Sequence, residues 1–241
     1  MFTPPPDRIK GRYVNFMLTC LCDSIFDDAA ECAVNVLKKY GAQVEFPENQ
    51  TCCGQPAFNS GDFASARKVV LSTVEAFSDN DYPIVVPSAS CAAMLFHSSK
   101  IAFRDSDRQT RDKIDAFARR IWEFCDYLVI HNSCHSRGTG TPAALEKLLR
   151  SIDGIEVLGF ENSDSCCGFG GTFSVVFPQI SSELGLAKVR AVSAVNPDML
   201  VAADTSCLLH QKGIADRNNI AYPARHAAQV FWHAIENGGN A

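Results

Sequence analysis

Eleven cysteines stand in this 241-residue chain, and eight of them fall into two sets of the same order. Cys20, Cys52, Cys53 and Cys91 form the first set; Cys134, Cys166, Cys167 and Cys207 form the second. Each set reads Cys-x31-Cys-Cys-Gly, then a second long spacer, then Ser-Cys; that spacer is 37 residues in the first set and 39 in the second. Thiolates are soft ligands that select zinc, Cu(I) or iron–sulfur clusters. Four per set satisfies either a four-cysteine zinc ion or a four-iron cluster. Structural zinc usually draws its cysteines from short knuckles, and the repeated positions form none. The side chains of adjacent cysteines diverge, which suits a cluster of several irons better than one tetrahedral ion. Gly54 and Gly168 follow the paired cysteines, where a turn without a Cβ is useful. The residues favour a cluster in each set, with zinc and bare thiol–disulfide chemistry as alternatives.

The other chemistry-bearing residues carry less. Cys32 falls within a helical pattern and Cys125 before a strand-like run, so both read as small buried hydrophobes. Cys22 has no counterpart in the second set, where Ser136 stands; as a ligand it would be a fifth thiol for the first. His97, His131, His135 and His210 lie near the cysteine blocks. Histidine replaces cysteine in some clusters, but a neighbour that hydrogen-bonds to the ligands is the commoner role. Gly168-Phe169-Gly170-Gly171 matches neither the P-loop nor the dinucleotide fingerprint. No Ser–His–Asp arrangement can be placed.

The elements that must position these thiols are themselves duplicated. YVNFMLTC at 13–20 recurs as YLVIHNSC at 127–134, and FPENQTCCG at 46–54 as FENSDSCCG at 160–168, both 114 positions on. IVVPSASC at 84–91 recurs as LVAADTSC at 200–207, 116 positions on. In the first half, YVNFMLT predicts a strand ending at Cys20. A helix follows, capped by Asp23 or Ser24, with Asp27 and Asp28 in its first turn, Lys38 and Lys39 in its last, and Gly41 beyond. AQVEF predicts a second strand leading to Cys52, a helix spans about 62–77, and PIVVPS delivers Cys91. The second half is expected to repeat this order, with Thr141-Pro142 starting a helix.

Strand–helix alternation predicts an α/β fold of two pseudo-symmetric repeats, each a small parallel sheet flanked by helices. The repeats are expected at 1–123 and 124–241. In a parallel sheet the strand C-termini share one edge, where such folds place their ligands, so each set of thiols is expected at one edge. Between the sets, residues 99–120 predict a charge-laced connecting helix, with Asp107/Arg111 and Asp115/Arg119 spaced as ion pairs and Ile114, Phe117 and Ile121 as an apolar stripe.

Composition excludes several classes. Hydrophobic residues are 46% and charged residues 20%, the balance of a globular chain. A net charge of −5 argues against nucleic acid, which requires a basic face. No apolar run approaches the roughly 20 residues of a membrane span. The N-terminal MFTPPPDRIKGRY lacks a signal-peptide core, so the expected compartment is the cytoplasm. There thiols stay reduced, and an odd number of cysteines fits no disulfide framework.

The doubled motif resembles the cysteine-rich CCG domain family, which includes a subunit of heterodisulfide reductase and the iron–sulfur subunits of glycolate oxidase and anaerobic glycerol-3-phosphate dehydrogenase. The stretches QTCCGQPAFNSG, PSASC, HNSCH, CCGFGGTFSV and ADTSCLLHQKG resemble above all the group that serves lactate utilisation. The resemblance spans nearly the whole chain. It implies an iron–sulfur electron-transfer subunit of a cytoplasmic complex oxidising L-lactate to pyruvate, with 4Fe-4S clusters, one or two per chain. It also implies partner subunits, one a ferredoxin-type iron–sulfur protein. The alternatives are another 2-hydroxy acid such as glycolate, or direct catalysis on a thiol or disulfide. Against the last, Ser88 and Asp204 stand where the heterodisulfide form of the motif carries a further cysteine. The N-terminal ferredoxin module of the glycolate and glycerol-phosphate subunits has no counterpart here.

Overall fold

The computed structural model describes residues 9–129 and 141–238. The apolar run at the start of the first half forms β1 (Tyr13–Phe16), and Cys20 opens the short helix α1 (Cys20–Ser24). Next comes α2 (Asp27–Lys39), with acidic residues in its first turn and lysines in its last, complementing the helix dipole. Gly41, at φ +85°, ends it, and β2 (Gln43–Glu45) follows. The Cys-Cys-Gly turn leads into α3 (Gln55–Asn59) and α4 (Phe63–Ala76); Asp62 caps α4 by accepting from Ser65 N at 3.0 Å. β3 (Ile84–Val86) runs into α5 (Ala89–Ala93), which continues through a π-helical turn, Met94–Ser98, into α6 (Ser99–Ala102). After α7 (Arg108–Ala118) come β4 (Ile121–Glu123) and α8 (Phe124–Val129). The second half continues with α9 (Thr141–Leu149), α10 (Thr172–Val176), α11 (Pro178–Ser193), β5 (Leu200–Ala202), α12 (Thr205–Arg217), β6 (Ala224–His226) and α13 (Ala227–Glu236).

Four strands form one sheet in the order β2-β1-β3-β4, and every pairing is parallel. A buried parallel sheet needs cover on both faces, and alternation along the strands supplies it. Val14, Phe16 and Val85 face a core built from α2, α8, α9 and α13. Ile84 and Val86 face the other way, against α4, the 89–102 helical run and α7. The first core joins the two halves: α13 of the second half packs on α2 of the first. Phe231 stacks on Phe124 at 6.4 Å between ring centroids.

Several expectations are corrected. The strand expected from Tyr127 onward is helical through Val129, so Cys125 lies in a helix rather than before a strand. The cause is Glu123, whose buried carboxylate accepts from Cys125 N at 2.8 Å and Asp126 N at 3.2 Å and so starts a helix. Phe124 and Leu128, fully buried, hold it to the core. Residues 156–160, the counterpart of AQVEF in the expected repeat, carry no strand; among the described residues that half has only the parallel pair β5-β6. β4 and β6, which no pattern announced, close the two sheets. The connecting helix is two helices broken at 103–107, because Asp107 caps α7 by accepting from Thr110 N at 2.9 Å. Neither Asp23 nor Ser24 caps α2; both belong to α1, and Phe26 occupies the cap position.

Candidate functional site

The parallel sheet delivers the first set of thiols to one place. Cys20 stands four residues past β1, the Cys52-Cys53 pair follows β2, and Cys91 lies in the first turns of α5 behind β3. Cys53 and Cys91 approach to 3.3 Å between sulfurs. Cys52 receives hydrogen bonds from both Cys20 and Cys53, which holds its thiol pKa down. Cys20 and Cys53, the donors to it, are held up, and burial adds to the effect at Cys53. The thiols of this set thus lie within one another's reach, and the charged form is favoured at Cys52 over its neighbours. Cys53 and Cys91 are buried, Cys52 half-buried and Cys20 exposed, so the site opens to solvent on one side.

Gly54 and Gly168 both stand in the left-handed region, at φ +89° and +90°. A Cβ at Gly168 would meet the Ser181 carbonyl oxygen at 2.5 Å. Thr73 of α4, fully buried, ties down the segment entering the first turn: its hydroxyl donates to the Cys52 carbonyl at 3.1 Å.

In the second half Cys167 and Cys207 lie 2.9 Å apart between sulfurs, and Gly168 N donates to Cys166 Sγ at 3.3 Å. The hydrogen bond with Cys207 lowers the Cys167 thiol to about 7. Cys134, with His131 and His135, lies outside the described residues. His210 meets Ser181 through Nε2 at 3.3 Å, a supporting role. His97 is exposed and packs edge-on against Phe96. Cys22 points into the core towards the Pro87 carbonyl and burial raises its thiol to about 11, which separates it from the first thiol set. Cys125 is buried, as expected, whereas Cys32 is only partly covered. Among the described residues no three Cys, His, Asp or Glu side chains are arranged to hold a single metal ion.

One residue joins the two sites. Asp204, only 8% exposed, caps α12 by accepting from Ser206 N at 3.0 Å and Cys207 N at 3.1 Å. Its other oxygen accepts from Ser90 N at 2.7 Å and Ser88 Oγ at 3.2 Å, at the start of α5. Burial opposes the charge, but the hydrogen bonds from Ser206, Ser90 and Cys207 outweigh it and hold the carboxyl below its usual range. One carboxylate thus serves the helix N-termini that carry Cys91 and Cys207. The 116-residue offset pairs Asp204 with Ser88; the spacing could have flagged them as facing residues, but not the contact between them.

A sequence model of the cysteine-rich CCG domain matches this chain twice, over residues 14–96 and 128–212. The chain belongs to the CCG family. Both matches contain all the repeated cysteines of their half. The chain is similar to "Lactate utilization protein A" of Shouchella clausii, 38% identical with 90% of this chain and 98% of that one covered. "Lactate utilization protein A 1" of Bacillus mycoides is 34% identical, with 94% and 99% covered. "Lactate utilization protein A" of a Geobacillus species is 34% identical, with 90% and 98% covered. The two CCG copies are not built alike: the first match begins in strand β1, whereas the second begins at Leu128, inside helix α8. No helix among the described residues is long and apolar enough to cross a membrane.

Proposed function

We propose that this CCG-family chain is an iron–sulfur electron-transfer subunit of a cytoplasmic complex that oxidises L-lactate to pyruvate. The observation that carries the reading is that the parallel sheet brings Cys20, Cys52, Cys53 and Cys91 to one edge, with Cys53 and Cys91 3.3 Å apart between sulfurs. The donor set fits a 4Fe-4S cluster: soft thiols from three strand ends, half-shielded, with no oxygen ligand among them. Cys134, Cys166, Cys167 and Cys207 would hold a second cluster in the second repeat, with the repeats at 1–123 and 124–241. A cluster so bound stores and passes single electrons. The protein's part is to shield Cys53 and Cys91 from water, to leave Cys20 at the surface as the route in or out, and to fix the Cys-Cys-Gly turn through Thr73. The relatives' printed names support lactate utilisation as the process. A ferredoxin-type iron–sulfur protein is the proposed partner among the other subunits.

Anaerobic purification with iron and acid-labile sulfide analysis tests the cluster. Iron and sulfide should fall by half in Cys53→Ser and likewise by half in Cys167→Ser, each relative to a two-cluster chain. Colourless protein with stoichiometric zinc, purified without oxygen, would refute it. A second reading, thiol–disulfide catalysis, draws on the lowered Cys167 thiol beside Cys207. It requires that disulfide substrates perturb the EPR signal of the second centre.

A further inference from the structure

Helix α11 carries apolar residues where it faces solvent. It packs on α10 and α12, and the residues it buries include Ser181, Gly185 and Lys188. Phe177, Ile180 and Leu184 stand outside, 51%, 55% and 38% exposed. Ala187, Ala191 and Ala194 continue the line; Ala187 and Ala194 are exposed and Ala191 is half-buried. Alternating steps of three and four residues put all six on one stripe, the spacing of a helix–helix seam. Val175 and Val176 of α10, 78% and 63% exposed, extend it. Contiguous exposed apolar surface of this kind marks a site of association.

The fold itself does not demand the stripe. The first repeat has the same helix in α4, matched 115 positions earlier by its buried residues: Thr73 with Lys188, Val74 with Val189 and Phe77 with Val192. At that offset the stripe positions are Asp62, Ser65, Val69, Ser72, Ala76 and Asp79. Four of those six are polar, as an outer helix face ordinarily is. The apolar residues of α11 therefore answer to something outside the repeat.

We propose that the chain forms a two-fold dimer in which α11 packs antiparallel on the α11 of a second copy through this stripe. The order of side-chain sizes points to that occupant. The three large residues come first and the three alanines last. With the axis at the level of Gly185 and Leu186, Leu184 meets the partner's Ala187, Ile180 meets the partner's Ala191 and Phe177 meets the partner's Ala194. The same pairs form in return, because a two-fold interface is self-complementary. Every layer of the seam thus joins a large side chain to a small one. Charge agrees with size. Glu183 and Arg190 border the stripe on one side, seven residues apart, and the antiparallel arrangement brings each near its opposite on the partner. The net charge of −5 opposes self-association in general, but residues 165–182, which lead into the stripe, carry no charge. A helix that lies on a lipid surface is instead bordered by lysines and arginines. Leu184 also backs the second Cys-Cys-Gly turn, its Cβ 3.0 Å from where a Cβ at Gly168 would stand, so the seam runs beside that turn in each copy.

The test is sedimentation velocity of the full chain, purified anaerobically and kept reduced, over a range of micromolar concentrations. The unaltered chain should sediment as a dimer that dissociates on dilution. Leu184→Asp should be monomeric at every concentration, and Ala187→Leu, which sets large against large twice in the seam, should weaken association several-fold. Glu183→Arg and Arg190→Glu should each weaken it several-fold, and the two together should restore it. Circular dichroism checks that each variant keeps the fold. A chain that is monomeric throughout overturns the proposal, as does a dimer indifferent to Leu184→Asp. Single charge reversals that the double reversal does not rescue overturn the antiparallel pairing. Monomers that float with phosphatidylcholine–phosphatidylglycerol vesicles, and cease to in Leu184→Asp, assign the stripe to a lipid surface and overturn the dimer. Should Leu184→Asp fail to fold, the charge-reversal series decides. No readout here depends on bound iron.

Discussion

Gly54 and Gly168 occupy duplicated positions with the same backbone conformation but different surroundings, so the two alanine variants form a controlled pair. At φ +89° and +90° an L-residue is strained by about 1–2 kcal/mol. At Gly54 an added Cβ meets the Ala66 carbonyl and Val70 at 3.4 Å, ordinary contact, so strain is the whole cost. At Gly168 the same Cβ lies 2.5 Å from the Ser181 carbonyl oxygen, 3.0 Å from Leu184 Cβ and 3.2 Å from Gly185 N. Two of those three are backbone atoms of α11 and cannot swing away. Relief requires moving the turn off the helix, an overpacking cost of about 1–3 kcal/mol more. Gly54→Ala should therefore destabilise the chain by about 1–2 kcal/mol and Gly168→Ala by roughly 2–5 kcal/mol. In a chain of this size each kcal/mol lowers the melting temperature by about 2–4 °C, so the second variant should melt several degrees below the first. Paired thermal melts under reducing, anaerobic conditions measure this. Alkylation of Cys167 should also quicken in Gly168→Ala, because the turn carries that thiol away from Cys207. Equal melting temperatures for the two variants would refute the reasoning, since the close approach at Ser181 is all that separates them.

Asp204→Ala should cost about 3–5 kcal/mol, since it strands buried donors at two helix starts, and it should lower cluster loading in both halves; Asp204→Asn should cost less in urea unfolding. His226, fully buried, caps α13 by accepting from Ala228 N at 3.2 Å, and burial lowers its pKa to about 4. The unfolded chain binds this proton near pH 6.5, so stability should fall as pH drops from about 6.5 to 4, by up to roughly 3 kcal/mol. Denaturation across that range should show a flatter profile in His226→Asn, which keeps a capping oxygen, and an unchanged slope would sink the assignment.

The duplication and the first strands and helices of the first half were legible because local signals agreed there. β1, β2 and β3 are apolar runs, Asp27/Asp28 and Lys38/Lys39 mark the ends of α2, and Asp62 caps α4. The failures came where tertiary partners decide. YLVIHNSC looks like its counterpart YVNFMLTC, yet Glu123, just upstream, caps a helix through Tyr127 and Leu128 instead. β4 and β6 are three-residue strands whose sequences, Ile-Trp-Glu and Ala-Arg-His, share no pattern; only pairing with β3 and β5 defines them. Asp204 was visible as a departure from a cysteine motif, but its bonds to Ser88 and Ser90 cross 114 residues and more of chain, and no periodicity reports such a contact.

The duplicated positions show how the halves diverged while keeping their backbone duties. Glu123 ends β4 and caps α8; His226 ends β6 and caps α13. Thr73 and Lys188 each fasten the segment before a Cys-Cys-Gly turn. Ser88 and Asp204 stand at the starts of α5 and α12 and bond to one another. In each pair the local hydrogen-bonding requirement is fixed by the repeated geometry, and a neutral or a charged side chain can meet it. Charge is thus free to vary where the fold is not.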